Sequence, residues 1–272
     1  MVATAHVSYP SDGIGMITLD NPPQNQGSYE LMERVEEAIK EIRESGSKVV
    51  MIVSDHPQYF CPGQWLPDAI ALSEGREPSG DGPAWYRVVN ELDRGPMVSM
   101  VVNNGIALGG GAELCWSCNL RVAGESAVFG QVEAIVGDIP GAGGTVRLPR
   151  LAGKAVGMEM VLNGRPVPAQ RLFELGVINR VFPDDTLRQD AIEFAKLFAK
   201  NPAPGLREGK RSINEGFDLP LKEALRNETK ITREMDKSHV IDVMRRIVAD
   251  YDAGKDSFEV YGFPELRPLN RK

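Results

Sequence analysis

Two glutamates, Glu113 and Glu133, stand in glycine-rich and otherwise apolar stretches of the chain. The first closes the run Asn103-Asn104-Gly105-Ile106-Ala107-Leu108-Gly109-Gly110-Gly111-Ala112-Glu113. That run follows an apolar stretch, 97–102, that reads as a strand buried on both faces, and it opens a helix. Three glycines at a helix start let the backbone approach a ligand closely and leave N–H groups without intrahelical partners. Such groups can hold an anion or a developing oxyanion. Glu113 falls on the first turn of that helix, facing the same space. The same residue types also suit a packing turn with a solvated glutamate favoured by the helix dipole, and residue type alone leaves both readings open.

The second glutamate lies in Phe129-Gly130-Gln131-Val132-Glu133-Ala134-Ile135-Val136-Gly137-Asp138-Ile139-Pro140-Gly141-Ala142-Gly143-Gly144-Thr145. Desolvation in such surroundings raises a carboxyl pKa. With Glu113 it makes a candidate acid/base pair. The glycines here do not form a Walker phosphate loop, because Gly144 stands where the lysine is needed. They do not form a dinucleotide fingerprint either, because Val146 occupies the third glycine position. A third segment, Phe60-Cys61-Pro62-Gly63-Gln64-Trp65, follows an apolar strand run, 49–53. A glycine at the C-terminal end of a parallel strand is where α/β sheets place ligand contacts, although a plain turn fits the segment equally well.

The elements that must position these segments alternate in the first half. Strands are expected at 14–19, 49–53 and 97–102, with shorter ones at 122–123 and 128–129. Ser28 can cap a helix whose apolar residues Leu31, Val35, Ala38, Ile39 and Ile42 recur at helical spacing before Gly46. The stretch 68–83 turns polar and Gly/Pro-rich and reads as a mobile surface loop. Helices are expected at 154–162, 169–175, 186–200, 204–214, 221–235 and 240–253. The architecture is therefore α/β with a helical C-terminal region: 1–200 as the core and 201–272 as the helical part.

Composition narrows the function classes. Thirty-one Lys and Arg against 38 Asp and Glu give a net charge of −7 over 272 residues. An acidic chain lacks the basic face that a nucleic-acid backbone demands. No apolar run approaches a bilayer span. The first ten residues lack the basic start and apolar core of a secretory signal, so a cytoplasmic location is expected. Three cysteines, Cys61, Cys115 and Cys118, are an odd and sparse set that suits a reducing compartment. Cys115-Trp-Ser-Cys118 has no second ligand pair and falls inside the expected helix, so it reads as two buried cysteines and not as a metal or redox motif. No Gly-x-Ser-x-Gly is present, and none of His6, His56 and His239 sits in a triad-like loop.

Taken together, Asn-Gly-x-Ala-x-Gly-Gly-Gly-x-Glu, Phe-Gly-x-x-Glu and Gly-x-x-Pro-Gly-x-Gly-Gly-Thr, in that order, resemble the crotonase family, the enoyl-CoA hydratase/isomerase superfamily. The similarity runs over about 14–214, including Met158-Glu159-Met160-Val161-Leu162-Asn163-Gly164 and 169–181. The resemblance implies a crotonase-like spiral of ββα repeats, C-terminal helices that assemble homotrimers or homohexamers, and an acyl-CoA thioester substrate with no separate cofactor or metal. It implies that the backbone N–H groups of Gln64 and Gly110 polarise the thioester carbonyl. It places Cys61, Pro62, Gly63, Trp65, Leu66, Gly109, Pro140 and Gly141 against the substrate. Glu113 and Glu133 match the two glutamates of hydratase-type members, Glu133 delivering the Cα proton and Glu113 holding the water. Double-bond isomerisation, 3-hydroxyacyl-CoA dehydration, C–C hydrolysis and non-catalytic acyl-CoA binding are the alternatives.

The chain departs from the family pattern at several positions. Trp65 replaces an Asp of the first loop and Pro67 a basic residue, in a segment that contacts CoA. Asn119 stands where Asp is usual, and Asp138 where Thr or an apolar residue is common. The segment 65–85 and the tail 251–272, both atypical, are expected to shape the acyl pocket.

Overall fold

The structure is a computed structural model and describes residues 3–263. An antiparallel pair, β1 (Thr4–Ser11) and β2 (Ile14–Asp20), opens the chain. Helix α1 (Tyr29–Glu44) follows, its start fixed by the Ser28 hydroxyl, which accepts from the Leu31 N–H at 3.1 Å. Leu31, Val35, Ala38, Ile39 and Ile42 are buried on its inner face.

Three turns of one pattern come next. β3 (Val49–Ser54) and β4 (Tyr59–Cys61) lead into α2 (Leu66–Ser73) and α3 (Pro83–Arg94). β5 (Val98–Asn103) and β6 (Ile106–Leu108) lead into α4 (Gly110–Ser117). β7 (Leu120–Gly124) and β8 (Val128–Gly130) lead into a 3-10 turn, Glu133–Val136, then α5 (Gly144–Ala152) and α6 (Lys154–Asn163). The chain finishes with β9 (Val167–Pro168), α7 (Ala169–Glu174), β10 (Arg180–Phe182), α8 (Leu187–Ala199), α9 (Ala203–Gly216), α10 (Leu221–Glu234), α11 (Ser238–Asp252) and α12 (Ser257–Val260).

In each turn the first strand joins one sheet and the second strand another. The larger sheet has the order β1-β2-β3-β5-β7-β10 and is parallel from β2 onward. The smaller has the order β4-β6-β8-β9. This is the ββα spiral that the resemblance implies. β3 and β5 are buried along their whole length, as parallel strands covered on both faces must be. One face of the larger sheet packs with α1, α3, α4 and the smaller sheet in the main core. The other face is covered by α8 through Leu187, Ala191, Ala195 and Ala199.

The stretch expected to be a mobile surface loop, 68–83, is an exposed loop only over 74–82. Its first part lies in α2, and Asp68 is buried. The Asp68 carboxylate accepts from Tyr29 N at 3.0 Å, Ser79 N at 2.7 Å and Ser79 Oγ at 2.8 Å. One buried anion therefore ties α2, the α2–α3 loop and the start of α1 together. Polar composition suggested a solvated loop, but here a polar residue is the anchor. β1, α2, α3 and α5 are further elements that the sequence reading left out.

The C-terminal helices cover less. α9 packs on α3 and β5, and its Lys210 Nζ donates to Leu92 O at 3.1 Å and Met97 O at 2.8 Å. Burial lowers the Lys210 pKa to about 8. Ile213, Phe217, Leu221 and Leu225 remain exposed on α9, α10 and the turn between them. Residues 264–272 of the tail lie outside the described residues.

Candidate active site

The smaller sheet aims three loops at one place. β4 and β6 pair in parallel, with Cys61 opposite Ala107, so the segments that follow them leave the sheet side by side. After β4, Gly27 N donates to Gly63 O at 2.8 Å and Trp65 N donates to Gly27 O at 2.9 Å. This is a parallel bridge that uses the atoms flanking Gln64. The N–H of Gln64 itself is directed to the opposite side, where β6 and Gly109 lie.

After β6, Gly109 turns the chain with φ of +50°, a conformation that disfavours a side chain. Its N–H donates to Gly130 O at 2.8 Å, which fixes the turn to the end of β8. Gly110 begins α4, so its N–H has no acceptor within the helix. Two backbone N–H groups, from Gln64 and Gly110, thus end neighbouring parallel strands.

Glu113 lies on the first turn of α4 and is only 3 % exposed. Its Oε1 accepts from Ala142 N and Gly144 N, both at 2.7 Å. Burial raises its pKa to about 7, with Glu133 adding to the rise, against the two N–H groups and Arg147, which oppose it. Glu133 is half-buried at the start of the 3-10 turn. Its two oxygens accept from Gln131 Nε2 at 3.1 and 3.2 Å. Burial also raises the Glu133 pKa, and the Asp138 charge contributes in the same direction. A side chain on Gly109 would begin 3.2 Å from Glu133 Oε1, which places that carboxylate over the glycine turn.

The supports are polar: Gln131 is buried, and Arg147 and Gln64 are half-buried. Gln131 accepts from Trp116 Nε1 at 2.7 Å through its Oε1, which orients the amide so that its nitrogen faces Glu133. Arg147 donates to Asp93 at 3.0 Å and to Ala142 O at 2.9 Å, holding the loop that binds Glu113. Gln64 Nε2 donates to the Tyr29 hydroxyl at 3.1 Å, linking that loop to the Asp68 anchor. Gln131, Arg147 and Tyr29 were not singled out in the sequence. Only the hydrophilic Gln131 between Phe129 and Glu133 could have signalled its role.

The other expected contact residues divide. Cys61, Gly63, Gly109 and Pro140 are buried, Pro62 and Trp65 half-buried, and Leu66 and Gly141 exposed. Trp65 N–H joins the bridge to Gly27, and its carbonyl accepts from Asp68 N at 3.0 Å as α2 begins. Asp138 is exposed and accepts from Ile139 N at 2.8 Å. Asn119, where Asp is usual, accepts from Ser99 N through Oδ1 and donates to Asp93 O through Nδ2, and a carboxylate could not make the second bond. Cys115 is buried in α4, and Cys118 is buried just past its end. Among the described residues, no group of three or more His, Cys, Asp or Glu could hold a metal ion. No helix among them is long and apolar enough to cross a membrane.

The family model described as enoyl-CoA hydratase/isomerase matches residues 10–245. The chain belongs to the enoyl-CoA hydratase/isomerase family. Among curated relatives, a mitochondrial enoyl-CoA hydratase of Pongo abelii is 32% identical over 219 residues, covering 80% of this chain and 74% of its own. A solved enoyl-CoA hydratase from Bacillus anthracis is 30% identical, with a TM-score of 0.77 over 85% of this chain and 90% of its own. One from Polaromonas shares the fold at 22% identity, with a TM-score of 0.81 over 93% of this chain and 98% of its own. The matched region of the family model takes in both glutamates and all three loops.

The raised carboxyl has a consequence for stability. Glu113 titrates near 4.5 when unfolded and near 7 when folded. Between these values the folded state holds more protons, so stability falls as pH rises through the window and levels off above it. Glu113→Gln keeps an acceptor oxygen for the two N–H groups and should remove most of this fall. Urea unfolding at about pH 5 and about pH 8 should show the wild type losing roughly 2 kcal/mol more than the variant. Equal losses would contradict a buried carboxyl that holds its proton.

Proposed function

We propose that the chain is a hydro-lyase of the enoyl-CoA hydratase type, adding water reversibly across the double bond of a 2-enoyl-CoA thioester. The observation that carries this reading is the convergence of two pKa-raised carboxyls, Glu113 and Glu133, on the glycine turn that ends beside Gln64. The thioester oxygen accepts from Gln64 N–H and Gly110 N–H. These donors stabilise the negative charge that grows on that oxygen as water attacks C3, and each is worth about 10²–10³ in rate.

One carboxyl must be ionised and the other protonated when the reaction starts. Two raised and mutually repelling acids favour holding one proton between them. Glu113 orients the water and accepts its proton. Glu133 gives a proton to C2, so that OH ends on C3 and H on C2. CoA enters as part of the substrate, and no metal or separate cofactor takes part. Cys61, Pro62, Gly63, Trp65, Leu66, Gly109, Pro140 and Gly141 form the surrounding wall. An isomerase needs one well-placed carboxylate, so the presence of two supports hydration.

Residues 1–200 carry this site, and 201–272 serve assembly in this reading. Ile213, Phe217, Leu221 and Leu225 are exposed, and a second copy would cover them. A homotrimer or homohexamer is expected by light scattering at micromolar concentration, and a monomer would contradict it. Three unpaired cysteines suit a reducing compartment, and the cytosol is the location assigned.

Crotonyl-CoA should be hydrated well above background. Glu113→Gln and Glu133→Gln should each lower kcat by roughly 10²–10⁴ with KM nearly unchanged, because the carboxylates act on the reacting carbons. The double variant should lose less than the product of the two single factors. If Glu133→Gln kept near-native hydration while Glu113→Gln did not, a single-base mechanism would replace this one.

A further inference from the structure

Trp85 belongs to none of the three loops, yet its ring touches two of the segments that hold them. It lies on α3 and is 5 % exposed. A side chain on Gly110 would begin 2.6 Å from Trp85 Cζ2, and one on Gly27 would begin 2.5 Å from Cη2 and 2.7 Å from Cζ3. Gly110 carries one candidate oxyanion donor. Gly27 makes both backbone bonds that hold the segment carrying the other, through Gly63 O and Trp65 N. The indole therefore packs at once against Gly110, which bears one N–H, and against Gly27, which holds the segment bearing the other, on the faces where any residue but glycine would displace it.

The rest of the ring's surroundings point the same way. Its Nε1 is buried and has no hydrogen-bond partner among the described residues. A phenyl ring would strand no donor at this place. It would also lack the outer ring atoms, Cζ2, Cζ3 and Cη2, that meet the two glycines. The indole is thus kept for its reach, at the expense of a buried donor left unmade. Gly27 does not need glycine for its own backbone, because it lies outside the positive-φ region. Of the three atoms nearest to a side chain there, two belong to the Trp85 ring, and the third, Cys61 Sγ, lies at an ordinary 3.5 Å. The tight contacts at Gly27 are those to the ring, and they account for the absence of a side chain there.

We infer that Trp85 is a positioning residue, a wedge that sets the spacing between the Gln64 and Gly110 N–H groups and so the polarisation of the thioester carbonyl. The inference rests on the thioester reading of the site. Displacing the ring moves the donors without removing either. A misplacement of about 1 Å can cost up to roughly 10² in rate.

The test uses 4-(dimethylamino)cinnamoyl-CoA, whose absorption moves to longer wavelength as its thioester carbonyl is polarised. Wild-type protein should give a clear red shift on binding. Trp85→Ala should lose most of that shift and lower kcat for crotonyl-CoA about 10- to 100-fold, with a smaller change in KM. Gly27→Ala, which retains the indole but pushes it, should lose the shift as well. In Gly27→Ala/Trp85→Phe the shorter ring clears the new methyl group, so the shift should partly return relative to Gly27→Ala. A full wild-type shift in folded Trp85→Ala would overturn the inference. So would a Gly27→Ala/Trp85→Phe variant no better than Gly27→Ala, and this comparison decides the matter if Trp85→Ala does not fold. A wild-type protein that binds the probe with no shift would overturn the thioester reading itself, and the wedge with it.

Discussion

The Glu113 carboxylate, buried at the start of α4 and held by the N–H groups of Ala142 and Gly144, is the contact on which the site depends. A charge at 3 % exposure is tolerable only with donors aimed at it or with a proton on it. The protein uses both. Two N–H groups stabilise the ionised form, and desolvation draws its pKa to about 7, so neither form is strongly excluded near neutrality. The same contact sutures the glycine turn after β6 to the loop before α5. Arg147 completes the suture by holding Ala142 O and Asp93. The atoms that hold the loop are also those that set the Glu113 pKa, so the loop cannot move without changing the acid.

The two-sheet spiral supplies the rest of the geometry. Because β4, β6 and β8 run parallel and adjacent, their following loops emerge at one edge. The loops then bring an N–H after β4, an N–H and a glutamate after β6, and a glutamate after β8 to that edge. Sequence distance between the contributing residues is irrelevant once the strands are paired. The larger sheet is buried on its far face by α8.

Much of this was legible in the residues, and the failures have physical causes. The central strands could be read because runs such as Val49-Val50-Met51-Ile52-Val53 have few alternatives. The helices between 154 and 253 stand close to where they were expected, whereas the short α12 was not expected. β1 was missed although Thr4-Ala5-His6-Val7-Ser8-Tyr9 alternates polar and apolar residues as a half-buried strand does. α3 shows its own buried stripe at Trp85, Val88, Val89 and Leu92, but the Gly/Pro-rich segment before it drew attention to a loop. Within 68–83 the loop reading fails at 68–73, since composition cannot say that Asp68 is buried and bonded to Tyr29 and Ser79. At the site, both glutamates and the glycine turn were readable as types in order. Gln131, Arg147 and Trp85 were not, because their effect is on the placement of other groups and only the folded chain brings them there.

The central claim is that both carboxylates serve one thioester, one delivering water and the other a proton. The direct measurement is mass spectrometry and NMR of the product formed from crotonyl-CoA in water enriched in both oxygen-18 and deuterium. The account predicts a 3-hydroxyacyl-CoA carrying one oxygen-18 at C3 and one deuterium at C2 for each turnover. Deuterium entering the acyl chain without oxygen-18 would mean proton transfer alone, and would contradict the account.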